Sequence, residues 1–179
     1  MKLNRRLFLY FFSTFFLLII VISFFQYQRE KEFRTEQLDQ LLSTYNFSVN
    51  KFIENKDIDP AILTDFLKVF PDSNLRVTVI DLRGNVLFDS YVPDVKHMEN
   101  HLSRPEIHEA AGDSARGVTI RKSSSTGIEF YYLAHRFEHF FIRSALPYNM
   151  DLSLMLSANM YFLYFMFFVL VVASLALYF

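Results

Sequence analysis

Hydrophobic residues are concentrated in two blocks near the ends of the chain, whereas the middle mixes apolar and polar positions. Residues 7–25 contain no charged side chain and would form a helix of about 28 Å, close to the thickness of the hydrocarbon core of a bilayer. A second uncharged block covers residues 160–179. The pattern predicts two transmembrane helices, over residues 7–25 and 158–179, that flank one folded domain over residues 26–157.

Positive charge before the first block predicts its orientation. Lys2, Arg5 and Arg6 precede it, and basic residues are enriched on the cytoplasmic side of transmembrane helices. We therefore expect residues 1–6 in the cytoplasm and the domain outside. A cleavable signal peptide is the alternative interpretation, but the block is longer than a signal core and no small-residue cleavage site follows it. Because the second block runs to Phe179, we expect the chain to be a truncated part of a longer protein, with a further module after it.

The domain is predicted to begin with a long helix that continues from the first block. Leu38, Leu42, Tyr45, Val49 and Phe52 alternate in spacings of four and three residues, which is the repeat of one helix face. This stripe suits either of two roles. It packs on the sheet of its own domain, or it also contributes a face to a dimer with a second copy.

A short second helix is predicted to follow, with Asp59 as its N-cap and Pro60 at its first position. Pro71 is expected to end it. The apolar residues assigned to its packing side are Ile62, Phe66, Leu67 and Phe70.

Five strands are predicted, the first from alternation of apolar and polar residues and the others from strand-like segments that turn residues separate. They are assigned to residues 75–79, 86–88, 117–123, 128–137 and 140–146, with a third helix over 105–111 between the second and the third. The resulting order is helix, helix, strand, strand, helix and three strands. It predicts an α+β fold, a five-stranded antiparallel sheet with a long N-terminal helix, in the PAS-like layout.

Composition removes several classes of function. The net charge of −1 provides no basic stripe, so nucleic acid is not an expected partner. The absence of cysteine excludes thiol catalysis, disulfides and thiolate metal sites. No nucleophile with a placed base and no paired carboxylates are recognisable, so no catalytic residue is predicted. Glu99, Glu106 and Glu109 are interpreted as a solvated helix face.

His97 and His101 are the best candidates for a metal pair, since a spacing of four residues places two side chains on one face of a helix. Zinc sites ordinarily use three or four protein ligands, and no third ligand has a compelling spacing. No metal site is predicted. The run from Ser123 to Thr126 is interpreted as a hairpin turn, because it lacks the glycines and the following helix of a phosphate-binding loop.

A small ligand, if one binds, is expected on the sheet. Arg121 shares a strand face with Thr119 and Ser123, and Tyr131 or Tyr132 could close a pocket beside it. The sequence leaves open which face of the sheet points inward.

Four motifs in the middle of the chain resemble the extracytoplasmic sensor domains of histidine kinases related to the phosphate-response and cell-wall-response sensors. The second motif is the most specific, and together they cover residues 81–146. The motifs are Asp81-x-x-Gly84-x-Val86-Leu87-x-Asp89-Ser90, Met98-Glu99-Asn100-His101-x-x-Arg104-Pro105-Glu106-Ile107, Arg121-x-Ser123-x-x-x-Gly127 and Tyr132-x-Ala134.

The resemblance implies a homodimeric receptor in the bacterial cytoplasmic membrane, with its domain in the periplasm or outside the cell. It would detect an unknown signal and control a cytoplasmic histidine kinase that acts on a response regulator. That kinase, with its ATP and Mg²⁺, would lie beyond Phe179, so no cofactor is expected in this chain. Asn100, His101 and Arg104 are expected to fix the start of the third helix and, as the alternative, to recognise the signal.

Two other hypotheses about what the domain controls stay open. The same input domain could belong to a chemoreceptor or to a cyclic-dinucleotide enzyme. The chain could also be a membrane-anchored binding or scaffold protein without an enzyme output.

Overall fold

The computed structural model describes residues 2–54, 58–149, 152 and 161–178. They belong to two compact units, one formed by Met1–Glu36 with Met155–Phe179 and one by Gln37–Leu154. The helices are α1 (Lys2–Ile53), α2 (Pro60–Leu67), α3 (Pro105–Ala110) and α4 (Tyr161–Tyr178), with a 3-10 turn at Val95–His97. The strands are β1 (Arg76–Asp81), β2 (Val86–Asp89), β3 (Arg116–Lys122), β4 (Glu129–Arg136) and β5 (Phe140–Pro147).

The first unit contains the two apolar blocks. The helix from Phe8 onward is long and apolar enough to cross a membrane, and its most apolar window is almost entirely exposed. Within the described part of the chain it is the one helix that meets this standard; the apolar stretch Leu163–Ala173 of α4 is shorter. Length and composition therefore support the first predicted transmembrane helix, and the second stays a prediction.

The second unit confirms the predicted α+β class. Its five strands form one antiparallel sheet in the order β2-β1-β5-β4-β3. Each strand lies within two residues of its predicted bounds, because strand-like segments and the turn residues between them are local features of the sequence. The spatial order of the strands was not predicted.

Strand register divides the sheet into two faces. Val77, Ser144 and Leu133 are aligned on neighbouring strands and share one face, whereas Thr78 and Arg143 are aligned on the other. We call them the α1 face and the α3 face, after the helices that cover them.

On the α1 face, the helix is fixed to the sheet by polar contacts as well as by packing. Ser144 donates a hydrogen bond to the carbonyl of Leu42 over 3.3 Å, and Asn46 Nδ2 donates to the carbonyl of Leu133 over 3.1 Å. Leu38, Leu42, Tyr45 and Val49 of the predicted stripe are buried, and Phe52 is partly exposed. The stripe therefore supplies core of its own domain, the first of its two predicted roles.

Helix α2 packs on the end of α1 with a face that differs from the predicted one. Asp59 caps it as expected, accepting a hydrogen bond from Ala61 N over 2.8 Å. Leu63 is buried and the Phe66 ring stacks on Phe52 with centroids 4.1 Å apart, whereas Ile62 is exposed. The assignment of Ile62 to the packing side was wrong. Successive residues of a helix are rotated by about 100°, so Ile62 and the buried Leu63 point in different directions.

Helix α2 also ends at Leu67, earlier than Pro71 suggested. Phe70 still packs, although it lies beyond the helix. Its ring centroid is 4.5 Å from that of Tyr45.

The short helix α3 lies against the other face of the sheet. Ile107 and Ala110 pack with Ile80, Ala134 and Phe141 in one apolar cluster.

The close approach of α3 to the sheet depends on a glycine in β3. A Cβ at Gly117 would meet the carbonyl oxygen of Glu106 at 2.0 Å, so any larger residue would push α3 away from β3. The position of the first turn of α3 is therefore set by the absence of a side chain at Gly117.

Candidate functional site

Charged side chains are buried on the α3 face, where an ordinary core would be apolar. Arg76, Asp89, Glu106 and Arg143 are each no more than 4% exposed, and Arg121 is mostly buried beside them. We call these five residues the buried charge cluster. Because burying an unpaired charge is costly, the cluster must be held together by internal pairing.

Glu106 is the centre of one half of the cluster and bridges two strands. Its Oε1 accepts hydrogen bonds from Arg121 Nη2 over 2.7 Å and from Arg143 Nη1 over 2.8 Å. Its Oε2 accepts from Arg121 Nε over 3.1 Å. Arg121 therefore holds the carboxylate with two donors, the strongest arrangement available to an arginine and a carboxylate.

The burial of Glu106 corrects the prediction of a solvated helix face. Glu99 and Glu109 are exposed, but Glu106 is completely buried. The physical reason is the contact at Gly117, which brings the first turn of α3 onto the sheet. In a six-residue helix the sequence does not show which side turns inward.

Arg76 and Asp89 form the other half of the cluster. Arg76 donates from Nε and Nη2 to the Asp89 carboxylate over 2.8–3.1 Å. It also donates to Ser123 Oγ over 2.9 Å and to Ser125 Oγ over 3.0 Å. The serine run forms the turn between β3 and β4, as predicted. Two of its serines also accept hydrogen bonds from a buried arginine, which the sequence did not reveal.

Thr78 joins the two halves. Its hydroxyl accepts a hydrogen bond from Arg143 Nη2 over 3.0 Å and donates to Asp89 Oδ2 over 3.0 Å. A continuous polar chain thus runs from Glu106 under α3 to the serine turn, crossing β5 and β1.

The aromatic ring of Tyr132 contacts two of the arginines. The ring centroid of Tyr132 lies 4.5 Å from the guanidinium carbon of Arg121 and 4.7 Å from that of Arg143. Such contacts stabilise a guanidinium that is removed from water. Tyr132 is therefore next to Arg121, as one of the two predicted alternatives required.

Tyr131 lies on the opposite face. Its hydroxyl donates to Asp39 Oδ1 of α1 over 2.6 Å, and Asp39 also pairs with Arg116. Burial, then the hydrogen bond and charge of Asp39, raise the pKa of Tyr131. Successive residues of a strand point to opposite faces, so only one of the two tyrosines could share a pocket with Arg121.

The surroundings of the cluster favour the ionised form of Glu106 and oppose the charge of Arg143. Burial alone would raise the pKa of Glu106, but the hydrogen bond from Arg121 and the charges of Arg143 and Arg121 outweigh it and lower this pKa. Burial lowers the pKa of Arg143 more than Glu106 raises it. Three arginines face two carboxylates in the cluster, which leaves one positive charge in excess.

His101 and Arg104 lie at the edge of the cluster, in the loop before α3. His101 is buried and its Nδ1 donates to the carbonyl of Glu99 over 2.7 Å. Burial and then the positive charge of Arg143 lower the pKa of His101 to about 4, although the bond to Glu99 opposes this. His101 is therefore neutral at neutral pH. Arg104 donates to Glu99 Oε2 and Ser124 Oγ, both over 3.0 Å.

The first two sequence motifs meet in space near the start of α3. His101 N donates to the carbonyl of Gly84 over 2.8 Å, and Asn100 Nδ2 donates to the carbonyl of Arg83 over 2.7 Å. Gly84 has φ of +89°, and a Cβ there would clash with Asn100 and Leu102. The β1–β2 turn thus braces the loop that leads into α3.

The structure does not form the histidine pair that the spacing suggested. The chain after the 3-10 turn is not helical between Met98 and His101, so the two imidazoles do not share a helix face. His97 is exposed and lies 3.1 Å from Asp94. Among the described residues, no group of three or more His, Asp or Glu side chains could hold a metal ion.

The sequence alone did not identify the set formed by Arg76, Asp89, Glu106 and Arg143. One signal was present: Arg76 and Arg143 occupy strands that are otherwise largely apolar. A charge in such a strand indicates a buried partner, but the sequence does not say which one.

No family model matches this chain, and no curated protein matches it. Among solved structures, one similar chain is the crystal structure of "the extracellular domain of the putative histidine kinase rpHK1S-Z16". The two share 16% sequence identity at a TM-score of 0.42, over 53% of this chain. The match spans 40% of that chain.

Proposed function

We propose that this chain is the membrane-anchored sensory portion of a two-component sensor histidine kinase. In this proposal a PAS-like domain outside the bacterial cytoplasmic membrane detects a signal, and two transmembrane helices carry its response inward. The receptor acts as a homodimer, and its cytoplasmic kinase, with ATP and Mg²⁺, phosphorylates a response regulator.

The observation that carries the proposal is the continuity of α1. One uninterrupted helix, Lys2–Ile53, includes the membrane-length apolar segment and also the core residues Leu42 and Val49 of the domain. A change in how the sheet holds α1 therefore acts on the same helix that is proposed to enter the membrane. Coupling between two sites requires such a shared element with more than one arrangement.

Two features of the sequence give the proposal its direction. The motifs over residues 81–146 resemble histidine kinase sensor domains, and the order of helices and strands is that expected of the PAS-like layout. The orientation rests on Lys2, Arg5 and Arg6 before the first apolar block.

The sheet offers a short route from the buried charge cluster to α1. Arg143 and Ser144 are neighbours on β5, and they point to opposite faces. Arg143 binds Glu106 on the α3 face, while Ser144 binds the Leu42 carbonyl of α1. In this proposal a change at Arg143 shifts β5, and the adjacent Ser144 passes the shift to α1 through its hydrogen bond to Leu42.

Because the chain contains no cysteine, a single introduced cysteine reports its own location. We expect Asp113→Cys, at an exposed position after α3, to react with a membrane-impermeant maleimide in intact spheroplasts. The matched variant Asn4→Cys should react only after the membrane is permeabilised. Protection of Asp113→Cys until lysis would place the domain in the cytoplasm and end the proposal.

The kinase output has its own test. Membranes carrying the full-length parent protein, incubated with labelled ATP, should yield an acid-labile, base-stable phosphoryl group on histidine. A coding sequence that continues beyond Phe179 into a chemoreceptor or cyclic-dinucleotide module would replace the output but keep the sensor. A stop codon there would favour the scaffold alternative.

A further inference from the structure

The Glu106 half of the buried charge cluster has the form of an anion site whose anion is supplied by the protein. Arg121, Arg143 and Tyr132 belong to β3, β5 and β4 and are positioned by the sheet. The carboxylate between the two guanidinium groups comes from α3, a helix of only six residues. The receiving groups and the occupant therefore lie on separate elements.

The two guanidinium groups at this site carry more positive charge than the one carboxylate neutralises. Two arginines share the single carboxylate of Glu106. The Nε atom of Arg143 is buried without a hydrogen-bond partner. A buried donor without an acceptor is costly, so a carboxylate ligand that carries a second oxygen acceptor along its chain, such as succinate, would gain a contact that Glu106 does not make.

We propose that Arg121, Arg143 and Tyr132 form a binding site for a small organic carboxylate, with Glu106 as the internal occupant of the empty state. A carboxylate ligand that replaces Glu106 on the two arginines frees the first turn of α3 from the sheet. This inference rests on the proposed function only where it treats that ligand as the signal.

The geometry favours a carboxylate over a tetrahedral anion. The present occupant presents two coplanar oxygens to Nε and Nη2 of Arg121 at 3.1 and 2.7 Å. This side-on fork matches a planar carboxylate. The Tyr132 ring contacts both guanidinium groups, which adds an apolar surface suited to a short carbon chain.

Release of Glu106 would be visible elsewhere in α3. Ala110 is fully buried against the sheet in the same helix, while His108 is exposed. A cysteine at position 110 is therefore shielded while Glu106 is in place and becomes accessible when α3 leaves the sheet.

The first experiment measures maleimide reactivity of Ala110→Cys in the full chain in detergent, with acetate, succinate, phosphate or chloride at matched ionic strength and pH. We expect acetate or succinate to raise the labelling rate about tenfold, the size of a modest population shift. Phosphate and chloride should have no such effect. The control His108→Cys should label at one rate in all four salts. An unchanged Ala110→Cys rate in both carboxylates, or an equal rise in phosphate, would overturn the proposal.

The second experiment removes the internal occupant. Glu106→Ala leaves a vacant carboxylate position, so acetate should raise the thermal midpoint of this variant while chloride does not. The matched control is Leu42→Ala, which is destabilised on the α1 face and has no anion to replace, so acetate should not raise its midpoint. The proposal requires both responses, and the absence of either one refutes it.

Failure here is distinguishable from failure of the proposed function. Labelling of Asp113→Cys and histidine phosphorylation by the parent protein do not depend on any carboxylate. An external domain and an active kinase without a carboxylate response would remove the ligand site alone.

Discussion

The two faces of the sheet are both buried, but they are held in different ways. The α1 face is closed by apolar side chains such as Leu38, Leu42 and Val49, with hydrogen bonds from the sheet to the helix. The α3 face carries the buried charge cluster. Apolar packing depends on volume and tolerates few alternative arrangements, whereas ion pairs depend on which partner is present. One face therefore holds α1 mainly by apolar packing, and the other holds α3 and the sheet together by ion pairs.

The largest predicted effect comes from breaking the charge cluster. Glu106→Ala leaves two buried arginines without their shared carboxylate, and we expect a loss of roughly 3–5 kcal/mol in the free energy of unfolding. Urea unfolding of the full chain in detergent, followed by near-ultraviolet circular dichroism, measures this loss.

The control for this prediction lies two residues away in the same helix. His108→Ala changes an exposed side chain and should alter the free energy of unfolding by no more than about 0.5 kcal/mol. Equal losses in both variants would mean that α3 is sensitive to any substitution. The charge pairing would then contribute no more to the free energy of unfolding than an exposed side chain does.

A slightly smaller effect is expected on the α1 face. Leu42→Ala removes a completely buried side chain, and the cavity should cost about 3 kcal/mol. Leu42→Met nearly conserves the volume and should cost less than about 1.5 kcal/mol. If the two variants lose equal stability, volume does not control this face, and the contrast between the faces fails.

The smallest predicted effect is a pH dependence that originates beside the cluster. The pKa of His101 falls from 6.5 to about 4 on folding. Between these values the unfolded chain binds the extra proton, so stability is present above pH 6.5 and is lost as pH falls toward 4. We expect a loss of the order of 2 kcal/mol across this window, less than the full shift allows.

Two other groups must be separated from His101. The lowered pKa of Glu106 acts below its ordinary value of 4.5, so unfolding measured between pH 7 and pH 5 largely avoids it. The pKa of His135 is also lowered, by burial and then by the charge of Arg116, and contributes in the same direction. The difference between the parent chain and His101→Gln isolates His101, and parallel pH profiles for the two would contradict the assignment.

Local pattern determined much of this protein. Three signals depend on residues that are close in sequence: the charge-free block at residues 7–25, the repeat from Leu38 to Phe52, and the strand segments with the turns between them. Such signals survive without knowledge of the fold because helix and strand periodicity are properties of the backbone. The α+β class and the extent of each strand followed from them.

Only the tertiary structure decided where the charges meet. Glu106 and Arg143 are 37 residues apart, and Arg76 lies 47 residues from Ser123. Their contact requires the strand order β2-β1-β5-β4-β3 and the choice of face on each strand. The close seat of α3 at Gly117 is also required. Electrostatic pairing acts through space, so a sequence can show that a strand contains an arginine, but only the packed fold supplies the carboxylate that faces it.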